Sequence, residues 1–325
     1  MDSGRKKIPK RRAFCGGRMR GNMSIEKIVK EFADYVTDIQ LPMEGIAVGD
    51  EKKILYEQHF RPDIPRNIYS HTKSFTATAA GIAIAGGLLS LEDRLADAFR
   101  EYVPDHASPL LYEVKLKHLM TMSSGFGKPY LMGADRRRGV GLPDYMKYML
   151  SREMIDRPGE HFVYSTADSI LIGRMVEHAT GQTLSQYLYD HILGPMEIGF
   201  PIWENDTQGH PNGGGGMQLK LSDMIRLGQT YLGGGVWKAK RIVPKEWIEM
   251  ATQKQIDVEG SQGGDGYGYQ FWIVSELGGY QAAGSFGQVT TVLPQKGLVV
   301  AIQCPERGDY DKVKQAVEEQ VIKRL

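Results

Sequence analysis

Cysteine is nearly absent from this chain: Cys15 and Cys304 are the only two among 325 residues. Cys15 lies in an N-terminal stretch with no core-forming pattern, so no structural disulfide is expected, and secretion is not indicated. Net charge is scarce too. Forty Lys and Arg against 39 Asp and Glu leave +1, so the molecule has no overall field to draw it to nucleic acid or an anionic membrane surface. No run approaches the ~20 apolar residues that span a bilayer. Residues 1–22 are basic but lack the apolar stretch of a signal peptide. They read as a disordered extension or an expression scar, with Met23 as the native start. A cytoplasmic protein is expected. The eight histidines are scattered, with no H-E-x-x-H and no paired ligand spacing, and Gly213–Gly216 lacks the Lys-Ser/Thr that completes a phosphate loop. Neither a metal nor any other cofactor is expected. Internal repeats and low-complexity segments are missing as well.

What is present is an ordinary globular composition, long enough for a full core, with 39 glycines. Ser24 can cap a helix whose apolar face carries Ile28, Val29, Phe32 and Val36. Gly45–Val48 and Lys53–His59 read as a hairpin around Gly49-Asp50. Residues 108–200 are mainly helical in pattern, with Gly181 stopping a helix over Ser169–Thr180. Leu221–Leu232 reads as another helix. Tyr269–Val274, Tyr280–Ala283, Val289–Leu293 and Leu298–Cys304 form an antiparallel meander, followed by a helix capped by Asp309. The order predicts an α+β protein in which two early and about four late strands share one sheet, flanked by the N- and C-terminal helices. Residues 23–325 form the folded unit, its α/β part being about 23–69 and 210–325 and its helical part about 70–209.

The stretch that points to chemistry is Tyr69-Ser70-His71-Thr72-Lys73, followed by an uncharged run from Thr76 to Leu89. A helix apolar on every side is a buried helix. Ser70 and Lys73, three residues apart, share one face at its mouth. An ammonium buried there needs an anion or a lowered pKa. The free N–H groups of the helix start favour an oxyanion and oppose the protonated amine. Those are the needs of a serine nucleophile activated by a lysine. On its own S-x-x-K is a weak pattern, since a capping serine and a solvated lysine give it too.

Two further stretches bear on it. Arg157-Pro158-Gly159-Glu160-His161-Phe162-Val163-Tyr164 brings a tyrosine to a helix start, and a phenol beside a lysine can move a proton. Ala282-Ala283-Gly284-Ser285-Phe286-Gly287-Gln288 lies between two strands, where small residues let a ligand approach the backbone. Each is also what an ordinary packed tyrosine or hairpin turn looks like. His71 and His161 read as structural histidines, the aromatic group Tyr267, Tyr269, Phe271 and Trp272 as mostly core, and Arg136-Arg137-Arg138 as a solvated loop that could meet an anion.

With all three stretches in this order, the sequence resembles the serine β-lactamase and penicillin-binding protein superfamily. Its class C β-lactamases and their esterase and D-aminopeptidase relatives are the nearest in look. The resemblance extends from about Ile25 to the C-terminus and includes Lys115–Gly125 and Gly266-Tyr267-Gly268-Tyr269. It implies an acyl-enzyme on Ser70, with Lys73 accepting the proton directly or through Tyr164, and Tyr164 serving the leaving group and then water. It also implies Ser285-Phe286-Gly287 in the place of the K-T-G triplet, with Gln288 adding an oxyanion N–H to that of Ser70. Thr166 stands where the family often has Asn, and Ser285 where Lys or His is usual, so the cation that grips a β-lactam carboxylate is missing. The expectation is a serine hydrolase acting on a small-molecule ester or amide. The rivals are a true β-lactamase or D-Ala-D-Ala carboxypeptidase, and a penicillin-binding sensor that is acylated without turnover.

Overall fold

The computed structural model describes residues 24–260 and 263–325; the basic tail, Met23 and Cys15 lie outside them. Ser24 Oγ accepts the Lys27 N–H at 3.2 Å and starts α1 (Ile25–Asp38), whose buried residues are Ile28, Val29, Phe32 and Val36. The chain then forms β1 (Gly45–Gly49) and β2 (Ile54–His59), an antiparallel pair. Asp50 Oδ1 closes their turn by accepting the amides of Lys52 and Lys53, both at 2.8 Å.

The remaining strands of the main sheet are β3 (Ile256–Asp257), β4 (Gly266–Tyr267), β5 (Trp272–Val274), β6 (Gly279–Gly284), β7 (Gln288–Leu293) and β8 (Leu298–Gln303). Their order is β2-β1-β8-β7-β6-β5-β4-β3, antiparallel throughout. The sheet therefore has eight strands, not about six. The additional two are two residues each, too short to show an alternation.

The pleat sends successive side chains to opposite faces. Val299 and Ala301 join one core, and Val300 and Ile302 join the other. The first face is covered by a helix over Leu221–Leu232, the second by α1 and a terminal helix over Tyr310–Val317 capped by Asp309. Beyond the sheet lies the helical region. At its centre α2 (Thr72–Ala85) packs beside α3 (Thr166–Thr180), which ends at Gly181 in the left-handed conformation (φ 67°). Apart from Ile82 and its last two residues, α2 is buried along its whole length, as the uncharged run demands. At Gly81 an added Cβ would stand 2.2 Å from the Trp247 ring of a helix over Lys245–Ala251, so α2 and that helix touch through a missing side chain.

A small sheet of Arg66–Asn67, Met217–Leu219 and Ile202–Trp203 ties the segment before Ser70 to the chain that follows the glycine run. The Ile68 amide donates to the Met217 carbonyl at 2.9 Å. Among the described residues no helix is long and apolar enough to cross a membrane.

Candidate active site

Ser70 sits in one turn of 3₁₀ helix, Tyr69–His71, at the mouth of α2. Tyr69 has φ 48°, a costly conformation for a non-glycine residue, and its amide is held by Asn67 Oδ1 at 2.8 Å. Beneath the turn, His71 Nε2 meets Thr290 Oγ1 of β7 at 2.9 Å. Full burial holds this histidine neutral, its pKa lowered to about 3. It fastens the Tyr69–His71 turn to the sheet. His161 is exposed.

Lys73 is 1% exposed. Its Nζ donates to the Gly214 carbonyl at 2.9 Å and to Thr166 Oγ1 at 3.3 Å, and lies 5.3 Å from the centre of the Tyr164 ring. Burial is the main reason its pKa falls well below that of free lysine. The Arg136 guanidinium adds to the fall, and Asp168 opposes it. A neutral amine has two N–H groups and one lone pair. With both hydrogens donated, the lone pair is left for a proton. Tyr164 is at the end of the Pro-Gly segment, which runs into α3 as irregular chain without forming a strand. Its ring stacks on Trp272 (5.3 Å, 25°) and meets Tyr267 edge-on (6.3 Å, 90°). Burial raises the phenol pKa, and a hydrogen bond with Ser70 offsets part of the rise.

Ser70, Lys73, Tyr164 and Thr166 are thus brought together. Ser285, Phe286 and Gly287 form a hairpin turn, not a strand segment, with Phe286 and Gly287 at φ 62° and 69°. Ser285 and Phe286 line the cleft with Ser70. The Phe286 ring packs edge-on against Tyr69 at 4.8 Å. Gln288 is the correction. It lies on β7, paired across from Gly284, and is 1% exposed. Its side chain donates to the Cys304 and Phe286 carbonyls at 2.7 and 3.0 Å. It is one strand removed from the strand that abuts the Ser70 turn. The sheet residue that abuts the Ser70 turn is Gly284: a Cβ there would be 2.2 Å from the Ile68 carbonyl oxygen and 3.0 Å from the His71 nitrogen.

Other residues of the site escaped the sequence reading. At Gly214 a Cβ would stand 2.8 Å from Lys73 Nζ and 2.6 Å from Thr166 Cγ2. The glycine run is there so that backbone can reach the lysine, and four consecutive glycines were the available signal. Arg136 is not a solvated loop residue. It is largely buried on a short helix over Gly133–Arg137, bonded to Glu204 at 3.0 and 3.3 Å and to the Leu131 carbonyl at 2.7 Å. Asp168, on α3, is fully buried and bonded by Ser124 Oγ at 3.0 Å; burial pushes its pKa up to about 8. Among the described residues no three His, Cys, Asp or Glu side chains are placed to hold a metal ion. Two cavities meet at Ser70: one of about 490 Å³ toward the sheet, and one of about 280 Å³ toward Arg136, Arg137 and the glycine run.

A serine at the mouth of a buried helix, with a lysine one turn on and a tyrosine opposite, between a sheet edge and a helical region, defines the β-lactamase and transpeptidase fold. The structure of a putative 6-aminohexanoate-dimer hydrolase from Bacillus anthracis superposes with a TM-score of 0.74 at 18% identity, covering 90% of this chain and 80% of that one. The Beta-lactamase family model matches residues 29–317, and the chain belongs to that family of hydrolases. It is similar to the 6-aminohexanoate-dimer hydrolase of Paenarthrobacter ureafaciens, 25% identical over 81% of this chain and 71% of the relative. It is also similar to Esterase EstB of Burkholderia gladioli, 33% identical over 65% of this chain and 67% of the relative. Some other relatives are matched over less than half of their length, 28% and 46%.

Proposed function

We propose that this protein is a serine hydrolase that cleaves a small ester or amide through an acyl-enzyme on Ser70. The observation that carries the reading is the state of Lys73: buried, depressed in pKa, and with two acceptors that leave its lone pair free. The Ser70 proton passes to Lys73, with the Tyr164 hydroxyl as relay, while Oγ attacks the carbonyl carbon. The backbone amides of Ser70 and Ser285 take the oxyanion, Ser285 replacing Gln288 in that role because it follows Gly284 at the nucleophile turn. As the tetrahedral adduct collapses, Tyr164 gives a proton to the departing alkoxide or amine and regains one from Lys73. Water then loses a proton to the same pair, attacks the acyl carbon, and the acid leaves with Ser70 reprotonated. The Tyr164 phenol is protonated at neutral pH and so can donate in these steps, its contact with the lysine offsetting the weaker acidity that burial gives it, and a lowered lysine suits the base.

The relatives' names point to amides in one case and esters in the other, so the bond is assigned as an ester or amide. A second reading, a β-lactamase or D-Ala-D-Ala carboxypeptidase, is favoured by Arg137. It is exposed, lines the smaller cavity beside Ser70, and has no carboxylate partner among the described residues. It could take the substrate carboxylate that Ser285 cannot pair.

The test is steady hydrolysis of p-nitrophenyl butyrate set beside nitrocefin, with fluorophosphonate labelling read by intact mass. Ser70→Ala should lose hydrolysis and label together. Lys73→Ala and Tyr164→Phe should each lose ~10²-fold or more in rate. The rate should rise with pH through the lowered lysine pKa, since the neutral amine is the active form. Hydrolysis that persists in Ser70→Ala overturns the reading. Nitrocefin turnover exceeding that of the ester favours the second reading, and a burst without turnover favours a sensor.

A further inference from the structure

The larger cavity does not end at the nucleophile. From Ser70 it runs over the face of β6, β7 and β8 and under the terminal helix. Its floor is built by register. Gln281, Thr291 and Val300 pair in one row across the three strands, and Ala283, Val289 and Ile302 in the next. Strand side chains two apart share a face, so these six point the same way. The roof is one side of the terminal helix, with Val313 and Val317 four apart, continued by Ile322; these are buried residues that the slot shares with the smaller core, and Ala283 and Val289 are the partly exposed apolar part of its floor. Apolar atoms dominate the slot. The two polar floor residues satisfy each other, Gln281 Nε2 donating to Thr291 Oγ1 at 3.0 Å. Trp272, paired with Gln281, closes the side next to Tyr164. Charge is confined to the helix: Asp311, Lys314 and Glu318.

A substrate carbonyl held at Ser70 has this slot as its apolar extension. We propose that the slot binds the apolar chain of the acyl group, so that the preferred substrates are esters or amides of medium-chain carboxylic acids. The proposal rests on the acyl-enzyme reading above and names the substrate class for it. Two strand spacings are about 10 Å, room for a chain of roughly six to eight carbons. A larger head group belongs on the side of Arg137 and the glycine run, where the walls are polar.

The experiment has a kinetic and a binding arm. In the first, kcat/KM is measured for p-nitrophenyl esters from acetate to octanoate. It should rise by up to about fourfold per added methylene while the chain stays in the slot. Val289→Phe, which fills the floor, should flatten the series. Val289→Thr, nearly isosteric, should weaken the rise without adding bulk. Labelling of Ser70 by an ethyl fluorophosphonate reports that each variant is folded. A flat series in the native protein, or a rise that survives both variants, overturns the proposal while ester hydrolysis dependent on Ser70 leaves the acyl-enzyme reading intact. In the second arm, Ser70→Ala protein is titrated with 1-octanol and 1-butanol and its tryptophan emission followed. Octanol should produce a change that butanol at equal concentration does not, and that Trp272→Phe removes. No octanol response overturns the slot. An octanol response together with hydrolysis persisting in Ser70→Ala supports the slot and removes the acyl-enzyme.

Discussion

Two buried ionisable side chains, Lys73 at the mouth of α2 and Asp168 on the neighbouring α3, are each shifted mainly by burial. Burial pushes Asp168 up to about 8 and holds Lys73 well below its usual value, both shifts being toward the neutral forms, while the charge of each opposes the shift of the other. A buried pair of opposite charges is often no gain over neutral groups, because desolvation offsets the attraction. In the mechanism proposed above Lys73 works as the neutral amine, and an ionised Asp168 would favour the ammonium. The consequence for stability has a definite sign. Unfolded, Asp168 titrates near 3.8; folded, near 8. Between these values the folded protein holds a proton that the unfolded chain has lost, so this group's contribution falls as pH rises across the window. The full slope is about 1.4 kcal/mol per pH unit. Asp168→Asn mimics the protonated acid and keeps an acceptor for Ser124 Oγ. Urea midpoints measured from pH 4.5 to 7.5 should lose this downward component in the variant. An unchanged slope would mean that Asp168 is ionised in the folded protein.

At the scale of elements, Gly81 decides how α2 meets the helix over Lys245–Ala251. Helix propensity alone makes Gly→Ala worth about 1 kcal/mol of stabilisation in a helix interior. Here the added methyl would fall 2.2–2.4 Å from three atoms of the Trp247 ring. That ring is 2% exposed and stacked on Tyr269 at 5.6 Å, so it has nowhere to go. Overpacking of this kind costs about 1–3 kcal/mol and should win. Gly81→Ala is expected to lower the thermal midpoint where propensity would raise it.

The same contrast between local and non-local causes separates what the sequence disclosed from what it hid. Caps and faces are local. Ser24, Asp309 and Gly181 marked their helix ends, and Ile28, Val29, Phe32 and Val36 marked a buried face, because each acts within a turn or two of itself. Ser70, Lys73 and Tyr164 stood out through their setting, a charge at the start of an uncharged helix and a tyrosine before the next, and the fold brings the three together. Gln288 was misplaced because the choice between it and Ser285 depends on where the hairpin turns. Three residues of turn put Gln288 on β7, and nothing in the turn's composition declares which residue abuts Ser70. Gly214 lies 141 positions from Lys73, and a glycine run states only that side chains are unwelcome, not what approaches. The two-residue strands β3 and β4 are held by their neighbours and have no pattern of their own.

Across the whole molecule the sheet separates two cores. The segment that carries Ser70 packs with the larger one through Ile68 and Phe75, and the first and last helices close the smaller one on the opposite face. Phe32 lies in that smaller core with no exposed surface, packed in the same cluster as Val313, Val317 and Val321. Replacing a buried phenylalanine by alanine costs about 3–5 kcal/mol, a large share of the roughly 5–15 kcal/mol that holds a domain folded. The cost falls on the joint between the two chain ends, away from the Tyr69–His71 turn, although the terminal helix also roofs the slot that opens from Ser70. The strands that carry the smaller core on one face carry the larger on the other, since Val300 and Ile302 alternate with Val299 and Ala301. The two cores should therefore melt together. In Phe32→Ala the urea midpoint should fall by the amount stated, with ellipticity and fluorophosphonate labelling of Ser70 lost in one coincident transition. In the absence of urea, turnover per labelled site of the acetate ester, whose acyl chain is too short to reach the terminal helix, should equal that of the native protein. If labelling outlasts the loss of ellipticity, the two faces are not one cooperative body, and if acetate turnover per site drops, the smaller core acts on the Ser70 turn itself.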